Sequence, residues 1–162
     1  MELTVRAAQH GDPAAWAEIY NQGIEDRQAT FETERRTGAD LMKQIERTIV
    51  AERDGRVVGW AAIVPYSPRE VYAGVGEFSI YVERSARGGG IGQRLLTHLA
   101  VFAESQGYHK LTSKIFPENV ASLALMRSCG FRDVGIHRRH ALLDGAWRDV
   151  VVVERLLGAA AR

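Results

Sequence analysis

Four of the five residues from 88 to 92 are glycine: Gly88, Gly89, Gly90 and Gly92, within ERSARGGGIGQR (83–94). The run VGEFSIYV (75–82) before them has the β-branched and aromatic content of a strand. After them, GIGQRLLTHLAVFAESQG (90–107) carries Leu95, Leu99 and Phe102 at helical spacing and stops at Gly107. The glycines therefore sit at a strand-to-helix turn. There the first helical N–H groups lack intrahelical partners and lie at the positive end of the dipole. With no side chains at 88, 89, 90 and 92, a phosphate can approach those N–H groups, and Arg87 adds a charged donor. Four glycines are an entropically costly way to turn a chain without a ligand, so the turn predicts a bound pyrophosphate.

The residues flanking the glycines narrow the guest. A nucleoside triphosphate loop ends in Gly-Lys-Ser/Thr, whereas Gly92 is succeeded by Gln93-Arg94. A dinucleotide fingerprint needs a sixth-position glycine, but Gln93 stands there counting from Gly88 and Leu95 counting from Gly90. Against 21 Lys+Arg stand 20 Asp+Glu, so no strong field points to nucleic acid or an anionic membrane as partner. A lone Cys129 forms no internal disulfide, MELTVRAAQHGD has no signal-like core, and no apolar run approaches the roughly 20 residues that span a bilayer. A cytoplasmic location is expected.

With 162 residues, 46% of them hydrophobic, one domain over 1–162 is expected. LTVRAA (3–8) reads as a strand, and Asp12-Pro13 as the N-cap and first position of a helix. A second helix is predicted from about Thr37 through ADLMKQIERT. Asp54-Gly55 and Asp144-Gly145 each predict a tight hairpin turn. KLTSKIF is a further strand, and ENVASLALMRSCGF a helix closed by Gly130. The predicted order is β-α-α-β-β-β-α-β-α-β-β, a mixed α/β domain.

The loop Arg87-Gly88-Gly89-Gly90-Ile91-Gly92 resembles the acetyl-CoA loop of the GNAT N-acetyltransferases. EIYN (18–21), ATFE (29–32), EFSIYV (77–82), Asn119 with Ser122, CGF (129–131) and GAWRDV (145–150) extend the resemblance to the phosphinothricin and arsinothricin acetyltransferase branch over nearly the whole chain. The resemblance implies a mostly antiparallel, twisted sheet of about seven strands with about four helices, splayed after the fourth strand. It implies acetyl-CoA as co-substrate, its pyrophosphate on Arg87, Gly88, Gly89, Gly90, Ile91, Gly92 and Gln93. The pantetheine arm would pair with Ile80, Tyr81 and Val82 and touch Asn119 and Ser122. By pattern alone Asn119 is a helix N-cap, and both roles are compatible.

An amine attacks a thioester only when neutral, so the reaction needs a base. The resemblance makes Glu77 the catalytic candidate; pattern alone favours a solvated strand carboxylate. The Val82 N–H is the expected oxyanion donor. Where relatives place a Tyr or His proton donor this chain has Met126, which cannot donate a proton, so water or a departing thiolate is expected. Cys129 reads as a small buried hydrophobe. Two further departures are Ala73 in place of an arginine and Leu142-Leu143 in place of a Tyr-Lys pair. Phe31, Glu32 and Tyr72 are candidates to line an amino-acid pocket. His137 and His140, three apart on a strand, are expected on opposite faces, and no metal is predicted.

The function implied is acetylation of a small amino acid-like amine of the phosphinothricin, arsinothricin or methionine sulfoximine type. Acetylation of a protein amine and a non-catalytic acyl-CoA-binding module are the alternatives. The resemblance also implies a homodimer.

Overall fold

The structure is a computed structural model that describes residues 2–162. One seven-stranded sheet runs through it in the order β1-β2-β3-β4-β5-β7-β6. The strands are β1 (Leu3–Ala7), β2 (Thr48–Arg53), β3 (Arg56–Pro65), β4 (Val75–Val82), β5 (Lys110–Ile115), β6 (Arg132–Leu143) and β7 (Ala146–Leu156). The helices are α1 (Pro13–Asp26), α2 (Gly38–Met42), α3 (Ile91–Ser105) and α4 (Val120–Ser128). All neighbours pair antiparallel except β4 and β5, which are parallel.

The two hairpins form where the turn dipeptides predict them. Asp54 and Gly55 adopt φ of 54° and 74°, and Asp144 and Gly145 adopt 50° and 80°, so both central residues of each turn are left-handed. That geometry matches the twist of the flanking strands.

The second helix is much shorter than predicted. Thr37 starts it with a capping box: its hydroxyl accepts from the Asp40 N–H while the Asp40 carboxylate accepts from the Thr37 N–H. It ends at Met42, and a 3₁₀ turn over Ile45–Arg47 comes next. Pairing of β2 with β3 begins at Thr48, opposite Ala62, so the last residue of the predicted helix is strand. Asp12 also departs from expectation, because its carboxylate does not cap α1. It accepts two bonds from the Arg6 guanidinium, at 2.7 and 3.1 Å, and one from the Gln9 N–H at 2.7 Å.

Burial alone would raise the Asp12 pKa, but these donors outweigh it and hold the group below its usual value. A depressed carboxylate contributes stability above its unfolded pKa and loses it as pH falls through the folded one. Asp12→Asn is therefore expected to lower stability near pH 7 by about 2 kcal/mol, with the gap to the parent closing below roughly pH 4. Urea denaturation at several pH values measures both.

Two apolar layers sandwich the sheet. On one side Leu95, Leu96 and Leu99 of α3 and Leu123 and Met126 of α4 meet Ile49, Ala61, Phe78, Leu111 and Val153. On the other, Trp16 and Ile19 of α1 and Leu41 of α2 cover Val50, Trp60 and Ala62. A third cluster of Phe116, Leu143 and Val150, with Phe31 against it, lies towards the β5–β7 end. The sheet itself is opened where β4 and β5 part.

Candidate active site

Strands β4 and β5 pair only from Val75 opposite Lys110 to Glu77 opposite Thr112. Beyond Glu77 the main chains diverge, and side chains of β5 make the remaining ties: the Ser113 hydroxyl donates to the Phe78 carbonyl at 2.9 Å and the Lys114 ammonium to Glu77 at 2.8 Å. A narrow groove of about 90 Å³ opens in the gap, lined by Ile80 and Tyr81 on one wall, Ile115 on the other, and Asn119 and Ser122 at the end of α4. The edge of β4 turned away from β3 faces this groove instead of a strand. The Asn119 carboxamide accepts from the Ser122 N–H at 3.2 Å, so it caps α4. The cap leaves its amide group reaching the Gln28 carbonyl at 3.3 Å.

The glycine loop stands between the end of β4 and the start of α3, and its four glycines have different causes. Gly88 and Gly90 have φ of 85° and 80°, a region that side chains rarely adopt. Gly92 is set by helix packing: a Cβ there would lie 2.8 Å from a Leu125 methyl of α4. Its missing side chain gives the Leu125 side chain room where α3 and α4 meet. At Gly89 the backbone is unstrained and a Cβ would meet only the Ala86 carbonyl at 3.5 Å, so the fold itself imposes no glycine. Arg87 hydrogen-bonds the Val82 carbonyl and forms an ion pair with Asp26 at 3.2 Å, and Arg84 reaches the same carboxylate at 2.9 Å. The loop is thereby tied to the last turn of α1. The first amides of α3 lack intrahelical partners, and the loop before them carries Arg84 and Arg87, groups of the kind that bind a diphosphate.

Beside the groove lies a larger cavity of about 360 Å³, in the size range of small-molecule sites. Glu77, Ser79 and Tyr81 project from alternate positions of β4, and Phe31 and Glu32 arrive from the loop after α1. Tyr20, Lys114, Phe116 and His140 complete the walls. Phe31 packs edge-on against Phe116, with ring centroids 4.9 Å apart, and the Arg148 guanidinium covers Phe116 at 4.2 Å. Burial pushes the phenols of Tyr20 and Tyr81 up from their ordinary values, so both remain protonated donors at neutral pH.

The sequence-predicted residues divide cleanly. Phe31, Glu32 and Glu77 meet in this cavity, and Ile80, Tyr81, Asn119 and Ser122 line the groove. Tyr72 does neither. It lies on the 3₁₀ turn before β4, packing edge-on against Tyr66 and under Arg69. Glu77 is not the solvated strand carboxylate that pattern alone favoured: its side chain is partly buried and the Lys114 ammonium donates to it at 2.8 Å. Met126 is wholly buried in the main core, behind the sheet.

His137 and His140 are not on opposite faces. The β6 stretch from His137 to Ala141 spans only Val150 to Arg148 of β7, and Arg139 takes a left-handed φ of 48° with its N–H donating to Asp149. This bulge breaks the alternation and brings the two rings to 4.9 Å. His140, Lys114 and Tyr20 are the wall residues that sequence reading missed. Lys114 left one signal, a cation inside a strand whose neighbours Ser113 and Ile115 are buried; the bulge left none.

A profile of the acetyltransferase (GNAT) family matches residues 7–131. The chain belongs to this family. The acetyltransferase is 32% identical over 154 residues to the phosphinothricin N-acetyltransferase of Streptomyces viridochromogenes, with 91% of this chain and 84% of the relative covered. It is 29% identical over 168 residues to the L-methionine sulfoximine/L-methionine sulfone acetyltransferase of Pseudomonas aeruginosa, covering 95% and 94%. Among solved structures, the phosphinothricin acetyltransferase of Sinorhizobium meliloti in complex with AcCoA superposes with a TM-score of 0.89 at 29% identity, covering 98% of this chain and 90% of the other. The splayed seven-stranded sheet and the N-acetyltransferase class expected from sequence are therefore both established.

Proposed function

We propose that this acetyltransferase moves the acetyl group of acetyl-CoA to the amine of a small amino acid-like compound, with Glu77 as general base. One observation carries the reading: Ser79, Tyr81, Lys114 and Phe116 line both the narrow groove and the larger cavity. A thioester arm laid along the β4 edge would deliver its acyl end to the wall that carries Glu77. The loop amides, Arg87 and Gln93 hold the diphosphate, while Ile80, Tyr81, Val82, Asn119 and Ser122 hold the arm.

In this reading Glu77 takes a proton from the substrate ammonium, directly or through water. The neutral nitrogen attacks the acyl carbon, the Val82 N–H stabilises the developing oxyanion, and as the C–S bond breaks the nitrogen gives its second proton to water. Met126 is buried and aprotic, so the departing sulfur leaves as thiolate or is protonated by water. The products are the N-acetyl compound and coenzyme A.

Support for a compact substrate comes from the two named relatives, which act on small amino-acid analogues, and from the modest cavity. Release of free thiol from acetyl-CoA, measured over phosphinothricin, arsinothricin, methionine sulfoximine and proteinogenic amino acids, tests this. Turnover confined to such compounds is expected. Turnover only with peptide N-termini would favour a protein substrate, and coenzyme binding with no thiol release would favour a binding module. We also propose a homodimer, supported by exposed Val134 and Ile136 on the edge strand β6 and by exposed Trp147 on β7. Light scattering on a gel-filtration column reads the mass.

A further inference from the structure

Lys114 has no role in the reaction as drawn above, yet its ammonium lies 2.8 Å from the proposed base. Past the point where β5 leaves β4, Lys114 shares a strand face with Thr112, the residue opposite Glu77. Both members of the pair are about two-thirds buried, with side-chain exposures of 34% for Lys114 and 31% for Glu77. A pair this enclosed is strongly sensitive to any charge placed beside it.

The charges of the cavity can be traced residue by residue. Glu32, the other carboxylate on the wall, is bound by Arg36 at 2.7 Å. Arg148 is directed to Glu118 at 3.1 Å. That leaves the Lys114–Glu77 pair, with His140 and the phenols of Tyr20 and Tyr81 as the other titratable groups on the wall. A simple ammonium brought to Glu77 would put two cations on one carboxylate and leave a surplus positive charge in a part-buried site. An α-amino acid carries its own compensation. Its ammonium meets Glu77 while its carboxylate, attached to the same carbon, meets Lys114, so each protein charge keeps an opposite partner throughout.

We propose that Lys114 is the specificity-determining residue that reads the substrate's α-carboxylate, restricting the enzyme to free α-amino acids over plain amines and carboxamides. This rests on the amine-acetylation reading above. Lys114 also orients Glu77 before the substrate arrives, and the substrate carboxylate draws the ammonium away as the substrate ammonium takes its place. The exchange leaves Glu77 hydrogen-bonded to the proton it is to remove.

L-Methionine sulfoximine and its α-carboxamide are the discriminating probes, because the carboxylate is the only anion that separates them. Calorimetry in the presence of coenzyme A reads their affinities without turnover, and steady-state kinetics with acetyl-CoA reads kcat/KM. The parent is expected to favour the acid over the amide by about 10–100-fold, and Lys114→Met to abolish that preference chiefly through KM. Lys114→Arg, which restores a cation, should recover most of it. A parent with no preference, or with no measurable affinity for either probe, overturns the proposal. So does a Lys114→Met variant that keeps the parental ratio while both probes lose activity equally, since that is the signature of a residue that only positions Glu77. If the preference appears in calorimetry and vanishes in Lys114→Met but no thiol is released, the acetylation reading fails and carboxylate recognition by Lys114 stands.

Discussion

Replacing Glu77 by Gln is expected to lower kcat by about 10²–10⁴-fold while leaving acetyl-CoA affinity unchanged. The substitution is nearly isosteric, and the amide oxygen still accepts from Lys114, which donates to Glu77 at 2.8 Å in the parent. The pairing of β4 with β3, including Glu77 opposite Val64, uses only the main chain and is untouched. The capacity to take up a proton disappears. The variant must then rely on the small fraction of substrate that is already neutral, so its rate should climb with pH until the free amine predominates. The difference between parent and variant should narrow over the same range. Stopped-flow thiol release between about pH 6 and 10, with calorimetric titration of acetyl-CoA as control, reads both quantities. A variant within several-fold of the parent at every pH would remove Glu77 from the chemistry, and equal losses in kcat and coenzyme affinity would make its role structural.

Local chemistry explains which parts of this architecture were legible in the sequence. Asp54-Gly55 and Asp144-Gly145 announced their hairpins because left-handed φ at two successive positions is tolerated by few residue pairs. The period of Leu95 and Leu99 announced α3, whose buried stripe faces the sheet. The start of α2 near Thr37 was legible, and the structure fixes it with a capping box, but the early strand β2 that pairs with β3 from Thr48 is a long-range demand that no local pattern carries. Asp12 stood in a cap position and was claimed by Arg6, a residue of β1 that only the folded chain brings alongside. The candidate site shows the same division. Glu77 was legible through the family resemblance, and Phe31 and Glu32 as residue types suited to an amino-acid pocket. Their neighbours Lys114 and His140 were not, because one depends on two strands parting and the other on a bulge opposite Asp149.

The glycine loop gives the second large effect, and Gly89 is the position where it is cleanest. Substitution at Gly88 or Gly90 would strain a left-handed backbone, and a Cβ at Gly92 would force the Leu125 side chain to shift, so loss of binding there would be confounded with a change of structure. Gly89 has neither constraint, since a Cβ would make only an ordinary contact with the Ala86 carbonyl. Gly89→Asp is therefore expected to keep the parental melting temperature within a degree or two while placing an anion where the diphosphate must lie. A charge-assisted hydrogen bond contributes about 1.5–3 kcal/mol, so loss of one such contact alone predicts a roughly 10–100-fold weaker Kd for acetyl-CoA, before repulsion is added. Because the opposed charges are exposed, raising the salt concentration should recover part of the loss. Gly89→Ala, which adds a methyl group without charge, should fall between parent and Asp. Calorimetry with acetyl-CoA at two ionic strengths separates these expectations. Parental affinity in Gly89→Asp would mean that the diphosphate does not rest on this loop, and the pyrophosphate reading of the four glycines would fall with it.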